Sequence, residues 1–392
     1  MRGRLLAEGR RPHLEPGRSR PRRRLHGARP RGPGRRVSRI AEDLKALMLT
    51  PGVSGHEDRV RAAIRDRLPL PSWTDALGNL CATAPGEGPA VMLFTHMDQL
   101  GLIVRKVEAD GVLRVHRLGG VPEKALPGQE MIVCARGGDI PAIVGMKSHH
   151  ATQPDEKYAV APATGLFLDA GFASKAEAEA AGAVIGTPVA YRPHVVELAG
   201  GRIAGTSVDD RAGCAVLLDV ARALAGREGG PPAHVVFAVQ EEFNLRGALV
   251  AAQALKPAIA IQIDLMLATD TPDMAHLGEM RLGGGPGVSL YSFHGRGTLN
   301  GVLPHPALVA LFEGAAEAEG LPLQRSAQVG VLTDNSYVQL VGAGVAAIDV
   351  GFPMRYSHGP REMAQLSDLE DLSRLIRAAL ARIGPDFRTE RD

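Results

Sequence analysis

Val91-Met-Leu-Phe-Thr-His-Met-Asp98 opens on four consecutive apolar residues and closes on a histidine and an aspartate two positions apart. A short unbroken apolar run suits a strand covered on both faces, and open α/β sheets bind their ligands beyond the carboxyl ends of such strands. The pattern recurs. Val235-Val-Phe-Ala-Val239 leads into Glu241 and Glu242, and the run from Ala258 to Ile263 leads into Asp264. Side chains far apart in sequence can therefore converge at one edge of a single sheet.

Working outward, Ser54-Gly-His-Glu57 has the form of a capping box before Val60, Ile64 and Leu68 at helical spacing. After the first strand the pattern changes to alternation. Val104, Val107, Val112, Leu113 and Val115 flank the turn signal Ala109-Asp110-Gly111, which reads as a hairpin. Glycine pairs at 119–120, 137–138 and 200–201 continue this style, broken by one alanine-rich helix from Lys175 to Ala181. An inserted β-rich domain over residues 104–198 is the expectation. Strand and helix then alternate again: a helix from Arg211 to Leu224, the strand to Val239, a helix from about Leu245, and the strand to Ile263. A helix from Pro306 to Glu319, a strand from Val345 to Val350, and a final helix opened by the box Ser367-Asp-Leu-Glu370 complete the chain.

A chain of 392 residues is long enough for two domains. Its formal charge of +2 misleads, because residues 1–36 hold 13 of the 45 Lys and Arg and only Glu8 and Glu15 as acids. The rest carries 32 basic against 41 acidic residues, a formal charge of −9. The arginine arm has no apolar periodicity and is expected to be disordered; it reads as upstream sequence translated in error, with the start near Val37. Neither nucleic acid nor a membrane is expected as a partner. With no signal-peptide block or long apolar stretch, a cytoplasmic protein is expected. Cys81, Cys134 and Cys214 have no CxxC spacing and read as free thiols.

Each chemical residue has a plain alternative when taken alone. His96 and Asp98 could be a strand-end capping pair, Asp209-Asp210 a helix N-cap, Glu241-Glu242 a solvated helix start, and His358 a loop histidine. The ordered set of motifs decides between these. Thr95-His-Met-Asp-Gln-Leu-Gly-Leu-Ile-Val104, Ser207-Val-Asp-Asp-Arg-Ala-Gly213, Val239-Gln-Glu-Glu-Phe-Asn-Leu-Arg-Gly-Ala248, Asp270-Thr-Pro272 and Arg355-Tyr-Ser-His-Gly-Pro-Arg-Glu362 together resemble metallopeptidase family 42, the tetrahedral, deblocking and glutamyl aminopeptidases. The resemblance runs from about Leu44 to Leu375.

The resemblance implies an α/β peptidase domain over residues 37–103 and 199–392, with a mixed sheet between helices, interrupted by a small β-barrel-like dimerisation domain. It implies a dinuclear aminopeptidase holding two divalent ions, zinc or cobalt. His96 and His358 would each bind one ion, Asp209 would bridge them, Glu242 and Asp264 would complete the two sides, and Glu241 would be the general base. Asp98 would orient the His96 ring. Peptide substrates and self-association to a dimer or dodecamer are implied as well.

Gln99 stands where the family has Glu, and Leu265-Met266 where it has Val-Thr, with Met266 expected near the metals. His149 and His150 read as a surface loop with a possible substrate role as the alternative, and the glycine run 283–287 as a turn, since it lacks the Lys-Ser/Thr of a phosphate loop. Two rival functions remain: a metal-dependent deacylase or amidohydrolase acting on N-acylated small molecules, and a non-catalytic scaffold. Glycoside hydrolysis is disfavoured by the two histidines, and a serine hydrolase by the lack of a GxSxG elbow.

Overall fold

The computed structural model describes residues 38–295 and 300–391; the expected arm, residues 1–36, lies outside the described residues. At the centre four strands run parallel in the spatial order Ala233–Ala238, Val91–His96, Ile259–Leu267 and Ala346–Arg355. Antiparallel strands extend them on both sides into a mixed twelve-stranded sheet. The apolar run read as doubly buried is so for a simple reason. Val91 and Leu93 point into one core with the long helices Val208–Ala225, Pro306–Glu319 and Leu366–Leu380, whereas Met92 and Phe94 point into a second core with the helix Gly247–Leu255. Alternation is present, and helices on both faces make every position apolar.

Six strands, Gly101–Val107, Leu113–Leu118, Glu130–Ala135, Gly138–Val144, Phe167–Asp169 and Pro188–Tyr191, close into a separate barrel around Leu102, Val115, Val133 and Leu168. The hairpin read from the Ala109-Asp110-Gly111 turn is its first strand pair. Residues 104–198 straddle two sheets at their end: Val195–Leu198 pairs with Arg202–Gly205, which joins Glu362–Gln365 in the large sheet.

Both capping boxes fail. The second helix starts at Asp58 with no side-chain cap, because Ser54 Oγ donates to Asp98 Oδ2 at 2.6 Å and Glu57 Oε1 accepts from the backbone of Gly55 and Gln240. The last helix starts at Leu366, and Asp368 in its first turn accepts from the amides of Gly283 and Gly285 instead. Those same bonds occupy the glycine run, a turn filled by a carboxylate.

Candidate metal centre

The strand Val91–His96 ends on His96, which is 1% exposed. Its Nδ1 lies 3.3 Å from Asp98 Oδ1 and its Nε2 lies 3.0 Å from Asp209 Oδ1. Asp98 is itself locked: Oδ1 accepts from the amide of Glu241, and Oδ2 from the amide of Glu242 and the Ser54 hydroxyl. One carboxylate thus holds the backbone of both glutamates, with His96 Nδ1 beside it but without a well-aligned hydrogen bond, while the Nε2 edge of the ring meets Asp209.

Asp209 and Asp210 divide the alternatives read from the sequence. Asp210, at non-helical backbone angles in the first turn of Val208–Ala225, accepts from the amide of Gly213 at 3.0 Å as a cap does, and takes a second bond from Thr95 Oγ1. Asp209 faces the cavity. Its Oδ1 meets His96, and its Oδ2 lies 3.6 Å from His358 Nε2, which also approaches Glu242 Oε2 at 3.7 Å. His358 is a loop residue at φ 63, and its Nδ1–H donates to the carbonyl of Gly120, which leaves Nε2 free as a ligand. Gly120 follows the barrel strand Leu113–Leu118, and a side chain there would fall 2.8 Å from His358 Nδ1. Asp264 completes the set from the strand Ile259–Leu267, with Oδ2 accepting from Gln262 Nε2 and Oδ1 from its neighbour's amide. All seven site residues expected from the sequence therefore meet, and all but Asp98 line one cavity of about 400 Å³.

The electrostatics call for cations. Burial pushes Glu241 and Glu242 well above the usual carboxylate range, reinforced by neighbouring acids, and pushes Asp264 up to about 7. Burial opposes charge on His96 too, but the Glu241 carboxylate, the bond to Asp209 and the adjacent Asp98 carboxylate outweigh it and raise the imidazole well above its ordinary value. Glu242 Oε1 is buried without a hydrogen-bond partner. His96, Asp209 and Glu242, and separately His96, Asp210 and Asp264, present donor atoms within 4.8 Å of one another. Imidazole and carboxylate donors in this arrangement suit a divalent cation such as zinc or cobalt, and the residues present fit such an ion.

Residues without a role in the sequence reading also matter. Glu362, inside a quoted motif, accepts the amide of Asp209 on Oε2 and that of His358 on Oε1, both at 2.9 Å. Asp334 is 1% exposed with neither carboxylate oxygen partnered, and burial pushes it up to about 8; nothing in the local sequence marks it. Gln99 Oε1 accepts from Gly52 and from the fully buried Arg211. Met266 lines a small recess that adjoins Asp264 and is absent from the lining of the main cavity. His149 and His150 are exposed and do not line that cavity.

Comparisons with known proteins bear on the fold and the family. The chain is 35% identical over 360 residues to SgcX of Escherichia coli (strain K12), covering 90% of this chain and 96% of that one. The TET aminopeptidase structure from the Thaumarchaeota archaeon SCGC AB-539-E09 superposes with a TM-score of 0.82 at 29% identity, over 88% of this chain and 97% of that one. The Pyrococcus horikoshii TET1 peptidase, described as assembling into a tetrahedron or a large octahedral shell, matches with a TM-score of 0.79 at 26% identity, over 87% and 99%. Residues 78–375 match the profile of the M42 glutamyl aminopeptidases, and with the fold and centre described above this chain belongs to that family.

Proposed function

We propose that this chain is a metal-dependent aminopeptidase that removes N-terminal residues from peptides, using two divalent cations, zinc or cobalt. The observation that carries this reading is the Asp209 carboxylate, which turns one oxygen to His96 Nε2 at 3.0 Å and the other to His358 Nε2 at 3.6 Å. In this reading His96 and Asp264 would hold one ion and His358 and Glu242 the other, with Asp209 within reach of both. Such a pair supplies a water of lowered pKa and polarises the scissile carbonyl. Glu241 is the proton carrier: its Oε2 lies 4.0 Å from His96 Nε2, too far to be held by that ring. It takes the proton of the attacking water and returns it to the leaving amine. Asp98, beside Nδ1 of His96, favours the tautomer that leaves Nε2 available.

Assembly through the barrel into at least a dimer is part of the proposal, supported by the shells described for the Pyrococcus horikoshii relative. A cytoplasmic setting is supported by the three free cysteines; among the described residues no helix is long and apolar enough to cross a membrane.

Two substitutions test the assignment. Glu241→Gln keeps every proposed ligand, so it should retain both metals by elemental analysis while kcat falls by roughly 10²–10⁴-fold. Glu242→Gln exchanges a charged oxygen for a neutral one and should come out metal-depleted. The reverse pattern would exchange the two roles, and near-normal rates with full metal in both variants would remove the hydrolytic reading.

A further inference from the structure

Besides the proposed ligands, the 400 Å³ cavity is lined by five aliphatic side chains, Leu245, Leu265, Leu267, Val331 and Leu332, and by the polar Asn244, His294, Thr333 and Ser357. The aliphatic five come from separate parts of the chain: Leu265 and Leu267 from the end of the central strand, Val331 and Leu332 from the loop before Thr333, and Leu245 from the turn after Glu242. This aliphatic wall is held in place, since the Leu267 carbonyl accepts from Gln328 Nε2 at 3.1 Å and Leu265 also packs on the main core.

Charge points the same way. The cavity is lined by four carboxylates, Asp209, Glu241, Glu242 and Asp264, and two divalent cations carry equal charge of opposite sign. Among the described lining residues there is no Lys or Arg to receive an acidic side chain. A basic side chain would need an acid beyond the centre. The unpartnered Asp334 lines neither the cavity nor the recess beside it, which leaves Asp349, in the recess next to Asp264. That recess has a volume of only about 20 Å³, room for roughly one water molecule. Asp349 is also engaged, accepting from Thr333 Oγ1 at 2.9 Å and from Asn335 Nδ2 at 2.6 Å. A charged side-chain terminus set against the five aliphatic residues would lose its water and gain no Lys, Arg or free carboxylate from the lining in exchange, whereas an aliphatic one loses nothing polar.

We propose that this wall is the pocket for the side chain of the N-terminal residue and that it selects neutral aliphatic residues, leucine and methionine, over glutamate and lysine. The inference rests on the aminopeptidase reading for the orientation of the substrate.

The test uses the full chain loaded with cobalt or zinc and the p-nitroanilides of Leu, Met, Glu and Lys. The Leu and Met substrates should exceed the Glu and Lys substrates in kcat/KM by roughly tenfold or more. Equal or higher values for Glu or Lys would overturn the proposal. Calorimetric binding of the α-hydroxamates of leucine, glutamate and lysine separates the pocket from the reaction. Leucine hydroxamate binding tightest while no anilide is cleaved would uphold the pocket and remove the aminopeptidase reading; glutamate or lysine hydroxamate binding tightest would overturn the pocket. Leu332→Arg places a cation in the wall and should raise the Glu-to-Leu ratio of kcat/KM by at least roughly tenfold; an unchanged ratio would count against the assignment.

Discussion

Glu362 shows how much of the centre depends on a residue that need touch neither metal nor substrate. Its carboxylate holds the amides of Asp209 and His358, which belong to different elements and approach each other only at the cavity. Burial and the neighbouring Asp209 push its pKa well above the usual range, although the two amide bonds favour the charged form. Glu362→Gln keeps the size but replaces one acceptor with a donor, so one amide is left facing another N–H group. The expected result is a loss of about 1–3 kcal/mol of stability, for a buried amide left without an acceptor. Affinity for divalent cations should fall by roughly 10–100-fold, the usual effect of losing an outer partner of a metal ligand. Thermal denaturation and competition with a chelator measure the two effects. A variant with lower stability but unchanged metal affinity would reduce Glu362 to a purely structural part.

At the level of elements, the central strands carry the site because both their faces are buried and only their ends are free for polar residues. Phe94, two residues before His96, is fully buried on the side of the helix Gly247–Leu255. Phe94→Ala should destabilise the chain by about 3–5 kcal/mol, as removal of a buried aromatic generally does. Trp73, 45% exposed in a strand at the sheet edge, should change stability by no more than about 0.5 kcal/mol when replaced by Ala. Denaturant titration of both variants checks the contrast, and equal losses would mean that the layering is not what stabilises these strands. Helix starts were harder to read. Ser54 and Glu57 have the spacing of a capping box, but a bond to the buried carboxylate that holds the Glu241–Glu242 turn is worth more than a solvated cap, and tertiary contact redirected both side chains.

For the whole molecule, the barrel does more than interrupt the chain, since Gly120 beside it orients the His358 ring. Its outer face has a groove of about 770 Å³ lined by residues that include Met131, Ile143, Met146 and Phe167, with Ile143 54% and Met146 64% exposed. Apolar side chains exposed together mark association surfaces. If this face joins subunits, light scattering should give at least twice the 41.4 kDa chain mass. The double variant Ile143→Asp, Met146→Asp should give smaller particles with metal content unchanged. A wild-type monomer, or a double variant of unchanged size, would move the interface elsewhere.

Reading the residues alone, periodicity established the α/β alternation, the first barrel hairpin and the polar residues following the strands, because burial on one or two faces writes itself into the spacing of apolar positions. The ordered motifs added the roles proposed for His96, Asp98, Asp209, Glu241, Glu242, Asp264 and His358. The motif singled out Asp209, and the tertiary structure gives the physical reason: Asp209 turns to the cavity while Asp210 accepts from the amide of Gly213, a difference that periodicity alone does not record. Tertiary structure alone placed Val195–Leu198 in the large sheet, where the partner strand Arg202–Gly205 lies. It also revealed Glu362 and Asp334, whose surroundings are assembled from segments far apart in sequence. Local pattern records which face of an element is buried; what that face meets depends on contacts between distant segments, and those exist only once the chain has folded.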